Sequence, residues 1–239
     1  MGQIIRTNVS IGGSYQTPFN EKFVKFIKTK TGLDWYSLSL SDKHIILSKV
    51  IKSCRRCDNC SSYVKILPKY NKQPKIVFIG RAVTAKDIKT MQVISEEHPS
   101  YAIIKKITNA FHVSTQDCYY TNVSFCGSPK VNSLTEQNFK SCSYFKELEF
   151  LSMEIPDLFI LLGNDAFNAF FDRNSSVTSI LGNAYVAEYL GKERLFIPLP
   201  HPVTLLRDEE LYSATFEVVN YYSKVVMKLH GSTQVASTK

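Results

Sequence analysis

Two stretches of the chain are apolar without a break, and both stop at a glycine. Residues 74–80 read PKIVFIG and residues 157–163 read DLFILLG. Runs of this kind predict strands buried on both faces, as in a parallel sheet. Around them the period changes. In NEKFVKFIKTKT (20–31), Phe23, Phe26 and Ile27 fall at helical spacing with lysines opposite, and Asn20 stands where an N-cap belongs. Residues 42–53 predict a second helix. PSYAIIKKITNAF (99–111) predicts a third, opened by proline. CYYTNVSFC (118–126) is strand-like. Residues 135–151 predict a helix capped by Thr135, with Phe139, Cys142, Phe145 and Leu148 inward. NDAFNAFF (164–171) is a short helix, and AYVAEYL (184–190) and RLFIPLP (194–200) are two further strands. A long helix over 208–229 follows, and the polar tail 231–239 is expected to be disordered.

Strand and helix alternating in this way predict an α/β fold, a three-layer α/β/α sandwich around a mostly parallel four-stranded sheet. Residues 1–50 are expected to form a basic helical extension packed on a core of residues 51–230. In open parallel sheets ligands bind at the carboxyl ends of the strands. Gly80, Arg81, Asn122 and His201 stand there.

Composition adds constraints. The chain has 239 residues, 44% hydrophobic and 21% charged, which is ordinary for a globular protein with a real core. No apolar run approaches the roughly 18 residues of a membrane span. The opening MGQIIRTNVS has no apolar signal region, and Arg6 stands where a myristoylation motif wants Ser or Thr. A monomer in the cytoplasm, with reduced cysteines rather than disulfides, is the expectation. Net charge is +8, of which +6 lies in residues 1–60. Such an excess attracts polyphosphate backbones, although a solvated helix face carries the same signature.

The six cysteines then need a reason. Residues 54–60 read CRRCDNC, with Cys126 and Cys142 far downstream. A zinc site wants a second close Cys/His pair, and Cys126 and Cys142 stand sixteen apart. Ligands drawn from separate loops suit an iron–sulfur cluster. Cys126 and Cys142 also read as buried core residues. PKIVFIGRAVTAKD lacks both glycine-rich nucleotide signatures.

Five pieces in one order carry a resemblance: C-x2-C, a strand ending in a glycine loop, YYTNVSFC with LTEQNFKSC after it, PDLFILLGNDAFNAFF, and LPHPVTLLRD. The set resembles the iron–sulfur branch (families 4 and 5) of the uracil-DNA glycosylase superfamily, over roughly residues 50–210. The resemblance implies a [4Fe–4S] cluster on Cys54, Cys57, Cys126 and Cys142, with Cys60 a rival ligand and Cys118 left to the core. It implies a DNA partner and an enzyme that flips a pyrimidine nucleotide and hydrolyses its N-glycosidic bond. His201 would stabilise charge on the leaving base and Asn122 would read the base edge. Leu205 or Leu206 would wedge the duplex, with Arg207, Arg55 and Arg56 on phosphates.

One loop departs from the family. Where the family reads G-E-A-P-G, this chain reads G-R-A-V-T-A-K-D from Gly80. The water-activating carboxylate position is Arg81, which leaves Asp87 as the nearest acid. Gly80, Arg81, Ala82 and Thr84 are expected to line the substrate pocket, and Tyr101 to stack on the flipped base. The altered loop points to a modified cytosine of phage DNA as the excised base. The alternatives are an ordinary uracil glycosylase and an inactive DNA-binding module of the same fold.

Overall fold

A computed structural model describes residues 2–7, 18–57, 63–127, 134–143, 145–171 and 174–236. In chain order the elements are β1 (Gln3–Arg6), α1 (Pro18–Thr31), α2 (Leu40–Lys52), β2 (Val64–Lys65), β3 (Ile76–Ala82), α3 (Ala85–Thr90), α4 (Tyr101–Ala110), β4 (Cys118–Ser124) and β5 (Cys126–Gly127). There follow α5 (Glu136–Ser143), α6 (Lys146–Phe150), β6 (Leu158–Leu162), α7 (Asn164–Phe171), β7 (Asn183–Tyr189), β8 (Lys192–Leu199), α8 (Pro202–Leu205) and α9 (Glu209–Ala236).

The apolar runs become strands for the reason their pattern implies. Along β3, Val77 and Ile79 face one core while Ile76 and Phe78 face another, and all four are buried. A strand wanted by both faces has no polar side to show. One core lies against α6 and α7, through Phe150, Phe167, Phe170 and Phe171. The other lies against α4 and α9, through Ile103, Ile104, Ile107, Val219 and Tyr222. These are the three layers of an α/β/α sandwich.

The sheet has six strands rather than four, in the order β1-β7-β8-β6-β3-β4. Every pairing is parallel except the β7–β8 hairpin. That hairpin turns on Leu190 and Gly191, both at positive φ (51° and 79°), which matches the twist of the strands it joins. β1 accounts for part of the difference in strand number. It comes from the segment expected to be a helical extension, yet Gln3–Arg6 pairs with Asn183–Val186 at the sheet edge. Four residues, mostly exposed, carry too little pattern to announce a strand; the partner supplies it. Helices α1 and α2 do pack on the core, and α2 carries Ser39 as an N-cap accepting from the Asp42 amide. α9 continues to Ala236, into the segment expected to be disordered, because each added helical residue gains a hydrogen bond once the helix exists.

Candidate active site

The strands β3, β4, β6 and β8 deliver their carboxyl ends to one pocket. It is lined by Phe78, Gly80, Thr84, Asp87, Ile94, His98, Ser100, Tyr120, Thr121, Asn122, Leu162, His201 and Pro202. Its free volume is about 20 Å³, room for water but little more.

Register places Asn122. Gly80 and Asn122 are direct partners across β3 and β4. A Cβ on residue 80 would stand 2.5 Å from Asn122 Oδ1, so only glycine leaves the amide its place. Asn122 is 6% exposed and its Nδ2 has no hydrogen-bond partner. Ser100, 1% exposed and also in the pocket, has an unpartnered Oγ. Buried polar atoms without partners cost about 1–3 kcal/mol each. Two in one cavity are a mould for a polar ligand.

His201 follows β8 and caps α8. Its Nδ1 accepts from the Val203 amide at 3.3 Å. With Nδ1 accepting, the neutral ring carries its proton on Nε2. Burial lowers its pKa, helped by nearby His98 and Arg81 and opposed by Asp165, so the neutral form is favoured. Gly163 packs beneath His201 at φ +88°, a left-handed conformation that favours glycine.

Asp87 is in the pocket and 1% exposed, but its carboxylate is largely engaged. Oδ2 accepts from the Thr84 amide (2.8 Å) and hydroxyl (2.7 Å), and Oδ1 from the Ile94 amide (2.8 Å). It closes a capping box with Thr84 at the start of α3. Thr84 also meets His98, whose Nε2 lies 3.1 Å from its hydroxyl and whose Nδ1 accepts from the Ser100 amide at 3.1 Å. Burial lowers the His98 pKa as well, with Asp87 opposing. The satisfied arrangement is a neutral His98 giving its Nε2 proton to Thr84, which gives its own to Asp87. The sequence reading missed His98 and Ser100. Both sit in EEHPS, a stretch with no periodicity, and only the fold of 84–100 turns them inward.

Several expected residues lie elsewhere. Arg81 does not line the pocket: its Nε stands 3.0 Å from Asp165 Oδ2, without hydrogen-bond alignment, and its guanidinium lies over the Phe139 ring. Asp165 comes from α7, so the sequence next to Arg81 carried no sign of it. Ala82 packs against the aromatic cluster under α1 and α2 instead. Tyr101 points to Thr115, hydroxyl to hydroxyl at 3.3 Å. The rings that do wall the pocket are Phe78 and Tyr120, stacked at 5.4 Å. Leu205 is buried at 3% in the α9 core, which removes it as a wedge; Leu206 is 53% exposed beside exposed Arg207. Arg55 and Arg56 are exposed.

Cys54, Cys57, Cys126 and Cys142 come from three segments, and Cys54, Cys126 and Cys142 sit in the apolar cluster under α1 and α2. Cys126 and Cys142 share a hydrogen bond that draws Cys142 down to about 6 and keeps Cys126 protonated. Cys54 feels Cys142 and Cys57, and Cys126 feels Cys57. As a donor set, four thiols suit a soft metal centre. Among the described residues, however, no three His, Cys, Asp or Glu side chains are disposed as metal ligands. Cys60 lies outside the described residues. Cys118 is buried and its thiol is pushed up to about 12 by burial, as a core cysteine should be.

Among the described residues no helix is long and apolar enough to cross a membrane. The family model of the uracil DNA glycosylase superfamily matches residues 67–224. The chain is also 22% identical over 175 residues to a type-4 uracil-DNA glycosylase of Sulfurisphaera tokodaii, covering 69% of this chain and 76% of that protein. The pocket between β3, β4 and β8 falls inside the matched region, and the chain belongs to the uracil DNA glycosylase superfamily.

Proposed function

We propose that the protein is a DNA glycosylase that takes a flipped uracil into the pocket and hydrolyses its N-glycosidic bond, leaving an abasic site. The observation that carries this reading is the unpartnered, buried Nδ2 of Asn122 opposite a histidine whose free nitrogen is a donor. A pyrimidine edge offers carbonyl oxygens for both. As the bond to the sugar breaks, negative charge gathers on the base. A neutral Nε2–H in a dry site stabilises that charge without having to surrender a proton. Ser100 Oγ is a third group free to meet the base. Asp87, held by Thr84 and Ile94, supplies a fixed negative charge toward the cationic sugar, and Oδ1 keeps a lone pair for the attacking water.

The departure at Arg81 suggested a modified cytosine. Uracil is the better reading because Arg81 pairs with Asp165 and the Thr84 hydroxyl is spent within its own loop, which leaves neither side chain to meet a cytosine substituent. Leu206 serves as the wedge, and Arg207, Arg55 and Arg56 meet phosphates. Cys54, Cys57, Cys126 and Cys142 would hold the iron–sulfur cluster. Its contribution would be structural: it would tie the basic amino-terminal segment to β5 and α5.

The test is base release from uracil-containing DNA, from plain DNA, and from phage DNA carrying hydroxymethyl- or glucosyl-cytosine. Uracil alone should be released. His201→Ala should lower the rate roughly a hundred- to a thousand-fold with little change in KM. Release confined to the modified cytosines would sink the uracil reading, and no release from any substrate would leave an inactive DNA-binding module.

A further inference from the structure

Helices α1 and α2 with their connecting turn lie outside the family match, which begins at residue 67. Their surface is unusual for a solvated face. Along α1, Lys22, Phe26 and Lys30 follow at four-residue spacing and so share one face, with Phe26 48% exposed. Along α2, Ile45, Lys49 and Lys52 follow at spacings of four and three and also share a face, with Ile45 50% exposed. The 3-10 turn between the helices shows Tyr36 to solvent at 67% while its neighbour Trp35 anchors the turn at 1%. Two of the three acids here are occupied: Asp34 and Asp42 accept from cap groups of the turn and of α2, while Glu21 is exposed at the start of α1. Among the described residues, Lys22, Lys25, Lys28, Lys30 and Lys49 form no ion pair.

The hairpin is fixed to the catalytic body. Phe23, Ile27, Leu47 and Ile51 pack with Phe125, Cys126 and Ala82. Ala82 ends β3 and Phe125 follows β4, so the hairpin stands at the same carboxyl-end rim as the pocket.

Lysines alone suit any polyphosphate. Exposed rings between lysines suit something narrower, a strand whose bases are unstacked and offer their faces. A duplex keeps its base faces inside and uses only the lysines. We propose that the α1–α2 hairpin binds the single-stranded DNA flanking the target nucleotide, with lysines on phosphates and Phe26 and Tyr36 as stacking platforms. The target nucleotide in this statement rests on the glycosylase reading; the binding does not.

Fluorescence anisotropy with a labelled oligothymidylate and a duplex of equal length tests it. Phe26→Ala with Tyr36→Ala should weaken single-strand binding roughly ten-fold and leave duplex binding within about two-fold. Lys22→Gln with Lys30→Gln should weaken both and flatten the salt dependence. Both pairs are at the surface, and unchanged melting temperatures check that the fold survives. If no DNA yields uracil but the aromatic pair still loses the oligothymidylate, the surface stands and the glycosylase reading falls. Wild-type single-strand affinity in the aromatic variant would overturn the proposal, as would equal loss on the duplex. Binding to phosphatidylserine vesicles without binding to the oligonucleotide would overturn it too.

Discussion

His201 accepts a hydrogen bond at Nδ1 from the helix it caps, and this decides which nitrogen is left to donate. The arrangement works only while the ring is neutral. Burial holds its pKa below the usual 6.5, with His98 and Arg81 pushing the same way and Asp165 against. The neutral form therefore persists as pH falls through 6.5 and is lost only below that. The expected pH profile of uracil release has an acid limb with its midpoint under 6.5, absent in His201→Ala. A limb at or above 6.5 would mean that the ring is not shielded as described. At this scale the sequence was informative where a residue's role follows from its own strand. Asn122 and His201 were legible because strand ends point into one place. Arg81 and Tyr101 were not, since their partners Asp165 and Thr115 come from other elements and decide which way each side chain turns.

At the scale of elements, the loop from Thr84 to Ser100 is held by short-range devices. The helix α3 has only six residues, and its capping box at Thr84 and Asp87 opens it firmly. Its end is weaker. Met91 closes it in the left-handed region, at φ 52°, and is 64% exposed. That conformation disfavours any residue with a Cβ, while the exposed side chain gives little packing in return. Met91→Gly should raise stability by about 0.5–1 kcal/mol, read as a higher melting temperature with unchanged base release. The longer helices of this fold were legible from their apolar spacing, but α3 was not, and the single helix expected over 135–151 is divided into α5 and α6. Where α8 begins was not legible either, because its four residues are set by Pro202 and the His201 cap rather than by a periodic face. That short helix is what buries Leu205 and leaves Leu206 outside.

A charge pair is buried between the layers of the molecule. Lys146 on α6 gives hydrogen bonds to Glu149 (2.7 Å) and to Thr121 on β4 (2.9 Å), and its ammonium lies 3.6 Å from the centre of the Phe125 ring. Glu149, wholly buried, accepts also from Tyr119 and Thr121. The pair thus fastens α6 to the strand that carries Asn122. Glu149→Gln would leave the lysine without its counter-charge and should cost about 3–5 kcal/mol, measured by denaturant unfolding. A loss under about 1 kcal/mol would show that the lysine escapes to water. No local pattern marks such a pair, since an inward lysine and glutamate look in sequence like any surface pair three apart.

β1 closes the sheet at its far edge, and it does so with the first residues of the chain. Gln3–Arg6 lies against Asn183–Val186, Tyr222 donates to the carbonyls of Gln3 and Gly182, and a Cβ on Gly2 would strike Tyr221. On the ribosome these partners emerge nearly two hundred residues apart. β1 therefore stays unpaired until β7 has been made, and the edge it closes is open until then.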